Sequence, residues 1–161
     1  MDVEDKNVER IWRELADRKI CMLVTRAGEH MRARPMRAVP DKVNRQILFV
    51  TDRHSTKHDE LSENAEASVI FSDEVHQFYL SVYGQVRISR DRAKLKAIWT
   101  TEMQAFFPQG SQDPDVELLI FEPQNAEFWR GDNLLVTVVK MAASLVTGRP
   151  ARPGESASVH L

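Results

Sequence analysis

Basic and hydroxyl side chains gather in one short stretch of the sequence. Arg32, Arg34 and Arg37 stand close together around a proline, and Ser55 and Lys57 follow the next apolar segment, where a helix can begin. Guanidinium groups bind phosphate oxygens bidentately, an ammonium adds a point charge, and the free amides of a helix start supply further donors. The combination predicts a binding site for a phosphate monoester.

Other interpretations of these residues stay open on the sequence alone. The arginines could form a solvated strand face whose ion pairs each contribute under about 1 kcal/mol, or a surface that grips single-stranded nucleic acid. A formal net charge of −2 argues against nucleic acid. Pro35 interrupts the alternation of the strand, so the sequence does not decide which of the arginines would bind the phosphate. His54 and His58 have a metal-compatible spacing, but without a third ligand of fixed register no metal site is predicted.

Size and composition favour one small domain. The chain has 161 residues, of which 42% are hydrophobic and 29% are charged. Cys21 is the one cysteine, so an intramolecular disulfide is impossible, and its apolar neighbours predict a buried thiol. The sequence starts with polar, acidic residues and contains no apolar run long enough to span a bilayer. We expect a cytoplasmic protein without membrane contact.

Apolar spacing predicts the elements that must position the basic cluster. Helical periodicity over residues 4–18 predicts an amphipathic helix. Pro35 cannot donate a ladder hydrogen bond, which predicts a sheet edge or a bulge there. The strands are predicted at Ile20–Thr25, His30–Val39, Gln46–Thr51, Ala67–Ser72, Phe78–Ile88, Val116–Phe121 and Asn125–Arg130.

Further helices are predicted from capping residues. Ser55 is a plausible N-cap for a helix through Leu61, and Asp91 can start another. Residues 134–146 fit both a strand and a helix, and we favour the helix. Glycine, proline and serine after position 146 predict a disordered tail, so the domain is expected to span residues 1–146 and the tail residues 147–161. Short strands with few helices predict a mainly β (α+β) fold, a six-stranded antiparallel barrel.

Four short motifs, taken in order, resemble a known family. They are Arg34-Pro35-Met36, Thr51 through Ser55-x-Lys57, Tyr79-x-Ser81-x-x-Gly84 and Glu127-Phe128-Trp129-Arg130-Gly131. Their order and spacing resemble the FMN-binding split barrel of the pyridoxamine 5'-phosphate oxidase superfamily, and more narrowly its general stress protein branch. The resemblance implies a six-stranded antiparallel split β-barrel with flanking helices.

The resemblance also implies a cofactor, FMN, and a homodimer that binds it at the subunit interface. Ser55 and Lys57 would hold the phosphate with Arg32 or Arg34, and Trp129 would reach the flavin of the neighbouring subunit. The implied cofactor-binding residues are Arg32, Arg34, Pro35, Met36, Arg37, Val50, Thr51, Ser55, Lys57, Tyr79 and Trp129.

One departure from the family bears on the substrate. The oxidases follow their Glu-Phe-Trp-x-Gly segment with an Arg-x-His pair that grips the vitamin substrate, whereas here Gly131 is followed by Asp132-Asn133-Leu134-Leu135. Pyridoxamine-phosphate oxidase activity is therefore not expected. We expect an FMN-binding flavoprotein of the general stress type with redox chemistry on an unidentified small molecule, or alternatively a non-catalytic flavin-binding stress or sensor protein. A related cofactor, a deazaflavin or haem, stays open, and no catalytic side chain is assigned.

Overall fold

A computed structural model describes residues 3–132, 140–141, 143–145, 147–148, 150 and 154–161. The described helices are α1 (Val3–Asp17), α2 (Thr56–Glu63), α3 (Arg92–Ile98) and α4 (Thr101–Phe106). The described strands are β1 (Ile20–Ala27), β2 (His30–Arg37), β3 (Val39–Asp41), β4 (Gln46–Asp52), β5 (Glu66–Asp73), β6 (Phe78–Ser89), β7 (Val116–Arg130) and β8 (Glu155–His160).

The strands form one antiparallel sheet that curls back on itself. Its order is β2-β1-β5-β6-β7-β4-β3, and β8 also pairs with β7. β2 and β4 belong to different ends of this order, yet they lie in contact without a hydrogen-bonded ladder in the described residues. The cleft between them is the feature that positions the candidate site.

The long strand β7 holds the two ends of the molecule together. Its first half pairs with β4, its second half pairs with β8, and β6 runs along nearly its whole length. Both faces of its first half are buried. Leu119 and Phe121 face the main core inside the barrel, whereas Leu118 and Ile120 pack in a second cluster with Leu95 of α3. Burial on both sides explains why residues 118–121 form a continuous apolar run.

Helix α1 packs against the main core. Ile11, Trp12 and Leu15 lie on one face of α1 at helical spacing, and all three are buried in the core cluster. Full burial of each large apolar side chain contributes on the order of 1.5–3 kcal/mol. The amphipathic pattern predicted for residues 4–18 therefore identified the packing face correctly.

The mainly β antiparallel fold with flanking helices is confirmed, with several differences in detail. The described part of the chain has eight strands rather than the six of the expected barrel. The seven predicted segments become six because residues 116–121 and 125–130 belong to one strand, and β3 and β8 are additional. Pro35 lies on the edge strand β2 in regular register opposite Met22, so the edge prediction is right and no bulge is needed.

Two predictions concern the end of the chain. The predicted disordered tail is wrong for residues 155–160, because they form β8 on β7. Of the ambiguous segment 134–146, the part at 134–139 lies outside the described residues, while residues 140, 141 and 143–145 are helical. Among the described helices, none has both the length and the apolar character needed to cross a membrane.

Candidate functional site

A groove of about 650 Å³ lies at the cleft between β2 and β4. Helix α4 forms its other wall, so that strand and helix side chains face each other across it. We call the part lined by Thr51, Asp52 and Lys57 the polar end and the part lined by Ile20, Met103, Phe106 and Phe107 the apolar end, next to which the charged Arg37 and Glu102 also line the groove. The lining residues that the sequence predicted are Pro35, Met36, Arg37, Val50, Thr51 and Lys57.

Arg34 is held beside the polar end by a buried carboxylate. Its Nη2 donates to Oε2 of Glu60 at 2.5 Å and to the Thr25 hydroxyl at 3.2 Å, and the Thr25 hydroxyl donates to the same carboxylate oxygen. The Arg34 side chain is only 16% exposed. Its other terminal nitrogen, Nη1, is buried and has no hydrogen-bond partner in the described chain. A buried guanidinium with one unsatisfied nitrogen is prepared for an anionic acceptor.

Arg32 lies on the same face of β2 but nearer to solvent. Its Nη1 donates to Oε1 of Glu60 at 2.8 Å and to the Thr56 hydroxyl at 3.3 Å. The side chain is 52% exposed. Arg32 therefore shares the carboxylate with Arg34 but presents its remaining donors largely to water.

Glu60 is the centre of this arrangement and is only 7% exposed. Burial by itself would raise its pKa, but the hydrogen bonds from Thr25 and Arg34 and the charges of Arg34 and Arg32 outweigh burial and lower the pKa. Because carboxyl groups already ionise well below neutral pH, Glu60 is an anion at pH 7. One buried negative charge thus faces two guanidinium groups.

Lys57 is the third cation of the cluster and lines the groove itself. In the described part of the chain its ammonium makes neither a hydrogen bond nor an ion pair. Burial, followed by the positive charge of Arg34, lowers the pKa of Lys57. The negative charges of Asp52 and Glu60 act in the opposite direction without cancelling that effect. A bound anion would favour the protonated form of Lys57 and so offset this effect.

Hydroxyl groups and helix amides complete the polar end. The Ser55 hydroxyl lies 3.3 Å from the Thr51 hydroxyl. Ser55 occupies the predicted N-cap position of α2, but its side chain makes no capping hydrogen bond. The first amides of a helix have no partner within the helix. The amide of His58 donates to the Ser55 carbonyl oxygen at 3.0 Å, which leaves those of Thr56 and Lys57 for an acceptor at this end of the groove.

Arg37 lines the groove, unlike Arg32 and Arg34, and does not contact Glu60. Strand alternation places Arg37 on the face of β2 that Arg32 and Arg34 do not share. Its register partner on β1 is the exposed Ile20. It forms an ion pair with Glu102 of α4 across the groove. Arg37 therefore bridges the walls of the groove instead of joining the cluster around Glu60.

The other end of the groove is apolar and partly aromatic. Phe107 packs against Trp99 with ring centroids 6.1 Å apart, whereas Phe106 is 81% exposed. Ile20 and Met103 complete this surface. A planar organic ring system could bury its faces here while a charged tail reaches Lys57.

Tyr79 and Trp129 lie apart from the groove. They are register partners on β6 and β7, both partly exposed on the outer face of the sheet. Neither lines the groove in this protomer. The structure therefore places six of the predicted residues in the groove, whereas Arg32, Arg34 and Ser55 do not line it. Tyr79 and Trp129 do not reach it within a single chain.

Glu60 and Thr25 are the main residues that sequence reasoning missed. A signal for Glu60 existed, because it stands three positions after Lys57 on α2 and residues at that spacing share a helix face. An acid on the helix face of the predicted phosphate-binding lysine indicates a nearby cation as its partner. Thr25 sits in an apolar strand, where nothing in the sequence marks it.

The donor set suits a phosphate monoester. A phosphate at neutral pH carries close to two negative charges and three acceptor oxygens, and the site offers the free Nη1 of Arg34, the ammonium of Lys57 and the amides of α2. In the part of the chain that the structure describes, no cluster of three or more histidine, cysteine, aspartate or glutamate side chains is placed to hold a metal ion.

Comparisons with known proteins agree with this fold. The chain is similar to a crystal structure described as general stress protein 26 from Jannaschia sp. CCS1, with 25% identity over 98% of this chain and 99% of that chain and a TM-score of 0.75. It is similar to the general stress FMN/FAD binding protein of Xanthomonas citri, with 25% identity, coverage of 80% and 92%, and a TM-score of 0.72. A Clostridium acetobutylicum protein related to general stress protein 26 shares the fold at 22% identity, coverage of 80% and 91%, and a TM-score of 0.69.

The family assignment follows from the sequence profile. No curated protein matches the chain significantly. The profile described as "Pyridoxamine 5'-phosphate oxidase like" matches residues 6–151, nearly the whole chain. The expected split-barrel fold type is confirmed by these comparisons. The chain belongs to the pyridoxamine 5'-phosphate oxidase-like family.

Proposed function

We propose that this protein binds FMN non-covalently, with the phosphate at the polar end of the groove and the flavin ring towards its apolar end. The observation that carries the proposal is the pair of adjacent cations, Arg34 with a buried unpartnered Nη1 and Lys57 without a hydrogen bond or ion pair in the described residues. The similarity to the FMN/FAD binding protein of Xanthomonas citri supports it. A terminal phosphate monoester suits two cations better than the bridged diphosphate of FAD does.

We further propose a homodimer whose interface is the outer face of the sheet. Met22, Ile70, Tyr79 and Trp129 are large apolar side chains that stay exposed on this face. Met22 and Ile70 are register partners on β1 and β5, and Ile20, at the start of β1, also lines the groove. A partner that covers this face would complete the groove, and it could bring its own Trp129 to the flavin.

When bound, FMN would supply redox chemistry, while the protein supplies position and shielding from water. A hydride can pass to a flavin without a side-chain base, so an oxidoreductase acting on a small molecule agrees with the absence of an assigned catalytic residue. A non-catalytic flavin-binding stress or sensor protein would use the same groove. Oxidation of reduced nicotinamide by the flavin-loaded protein, above the rate of free FMN, would favour the enzyme. The cytoplasmic location stays a prediction.

The phosphate assignment is tested by comparing FMN with riboflavin, which lacks the phosphate. We expect the wild-type protein to bind FMN more tightly than riboflavin and FAD in fluorescence titrations. Lys57→Ala should lose about 1.5–3 kcal/mol of FMN affinity, roughly ten- to hundredfold, because a charge-assisted interaction is removed. Its riboflavin affinity should hardly change.

The matched control is Lys96→Ala, which removes an exposed lysine from α3 away from the groove. It should bind both flavins as the wild type does. Equal affinity of the wild type for FMN and riboflavin, or an unchanged FMN affinity in Lys57→Ala, would contradict the proposed phosphate site.

A further inference from the structure

Helix α2 is fastened to the barrel by two buried carboxylates. Glu60, on α2 itself, accepts hydrogen bonds from Thr25 on β1 and from Arg32 and Arg34 on β2. Glu117, on β7, is fully buried and lies 2.7 Å from Nδ1 of His58 on α2. Both carboxylates hold α2, but they differ in which cations they bind.

The partners of Glu117 lie outside the lining of the groove. Besides His58, Glu117 accepts a hydrogen bond from Nε of Arg90 at 2.9 Å, and neither residue lines the groove. Glu60 instead binds the guanidinium of Arg34, whose Nη1 has no hydrogen-bond partner in the described residues and whose charge acts on Lys57 in the groove. Only Glu60 is therefore connected to the group that would meet a phosphate.

We propose that Glu60 is a positioning residue for phosphate recognition: it holds Arg34 by Nη2 so that Nη1 stays directed at the anion, and it thereby sets the preference for a phosphorylated flavin. This inference rests on the proposed FMN site. Glu60 does not touch the phosphate in this arrangement and acts through Arg34. The Thr25 hydroxyl supports it by donating to the carboxylate oxygen that Arg34 also uses.

The two effects of Glu60 on a bound phosphate have opposite signs. As a nearby negative charge it repels the phosphate, so its neutralisation alone would tighten FMN binding. As an anchor it fixes a long side chain whose conformational freedom would otherwise be lost on binding. It also separates the like charges of Arg32 and Arg34. Glu60 contacts the guanidinium directly at 2.5 Å, whereas a phosphate bound to Nη1 would lie on the other side of that guanidinium, so we expect anchoring to dominate.

The experiment compares FMN and riboflavin affinities of Glu60→Gln, a nearly isosteric change that keeps one carbonyl acceptor. We expect the preference for FMN over riboflavin to fall about tenfold, within the coupling range of residues in one hydrogen-bond network. Riboflavin affinity should stay near the wild-type value. A merely structural role would lower both affinities together and leave their ratio unchanged.

Glu117→Gln is the matched control, because it neutralises an equally buried carboxylate that also holds α2. It should lower the melting temperature but leave the ratio of the two affinities as it is in the wild type. The same loss of ratio in Glu117→Gln would show that general loosening of α2 is responsible and would overturn the proposal. So would an unchanged or increased ratio in Glu60→Gln.

Thr25→Val keeps the test decisive if Glu60→Gln does not fold. It removes the hydroxyl that supports Glu60 and contacts Arg34, and it should lower the FMN preference in the same direction by a smaller factor. An unchanged ratio in folded Thr25→Val would then overturn the proposal. If the wild type shows no preference for FMN, the proposed function itself fails, whereas a wild-type preference that these variants retain rejects only the role of Glu60.

Discussion

At the scale of single residues, the charge of Lys57 should make phosphate recognition depend on pH. Burial and the charge of Arg34 lower the pKa of Lys57 in the free protein, whereas a bound phosphate dianion favours the protonated ammonium and raises that pKa again. FMN binding therefore takes up a proton at pH values between the two. From about pH 7 upward, where the phosphate is already a dianion, the FMN preference over riboflavin should fall as the pH passes the lowered pKa.

FMN and riboflavin share the same ring, so a titration of the ring cancels in the ratio of their affinities. Lys57→Arg is the control, because a guanidinium stays charged over the whole range. Its FMN preference should be flat with pH, even if the changed geometry makes it smaller. A flat profile in the wild type, measured by the same titrations, would show that Lys57 does not face the phosphate.

At the scale of elements, the close pairing of β6 and β7 depends on Gly84. The register between these strands shifts at Tyr83/Gly84, and a Cβ on Gly84 would lie 2.2 Å from the carbonyl oxygen of Glu122. That oxygen belongs to the backbone of a paired strand and cannot move aside easily. Gly84→Ala should therefore destabilise the protein by about 1–3 kcal/mol, the range for overpacking, measured by urea unfolding.

Gln85→Ala provides the comparison, since it changes the neighbouring exposed residue of the same strand. Its effect should stay within about 0.5 kcal/mol, as for most surface substitutions. Equal stability of Gly84→Ala and the wild type would mean that the strands can separate at this point without cost.

At the scale of the whole molecule, the exposed apolar face of the sheet should decide the oligomeric state. Ile70 lies in the middle of this face, on β5 between β1 and β6, and is 40% exposed. A charge buried in a dimer interface without a partner is strongly unfavourable. We expect the wild type to sediment as a dimer and Ile70→Glu as a monomer with weaker flavin binding.

Val75→Glu is a suitable control, because Val75 is more exposed than Ile70 but lies in the turn between β5 and β6. It should remain dimeric and bind flavin normally. A monomeric wild type would contradict the proposed interface. A dimeric Ile70→Glu would show that the subunits meet at another surface.

Much of the fold could be predicted because its signals are local. Helical spacing located α1, and Ser55 marked the start of α2. The predicted break after Phe121 was wrong because Pro123 and the register shift opposite it interrupt the pattern of β7 without ending the strand. β8 was missed because its polar, serine-rich sequence becomes a strand only through its ladder with β7.

The same distinction holds for the candidate site: its residue types could be predicted from local sequence, whereas their contacts depend on segments far apart in the chain. The sequence by itself determined that Arg32, Arg34, Ser55 and Lys57 stand at the ends of neighbouring apolar segments, since residue types and spacing suffice for that. Only the tertiary structure decided that Arg34, and not Arg37, lies beside Lys57, and that Glu60 holds it. The physical reason is that the face a strand residue presents, and the partner it meets, depend on the register between segments far apart in the chain.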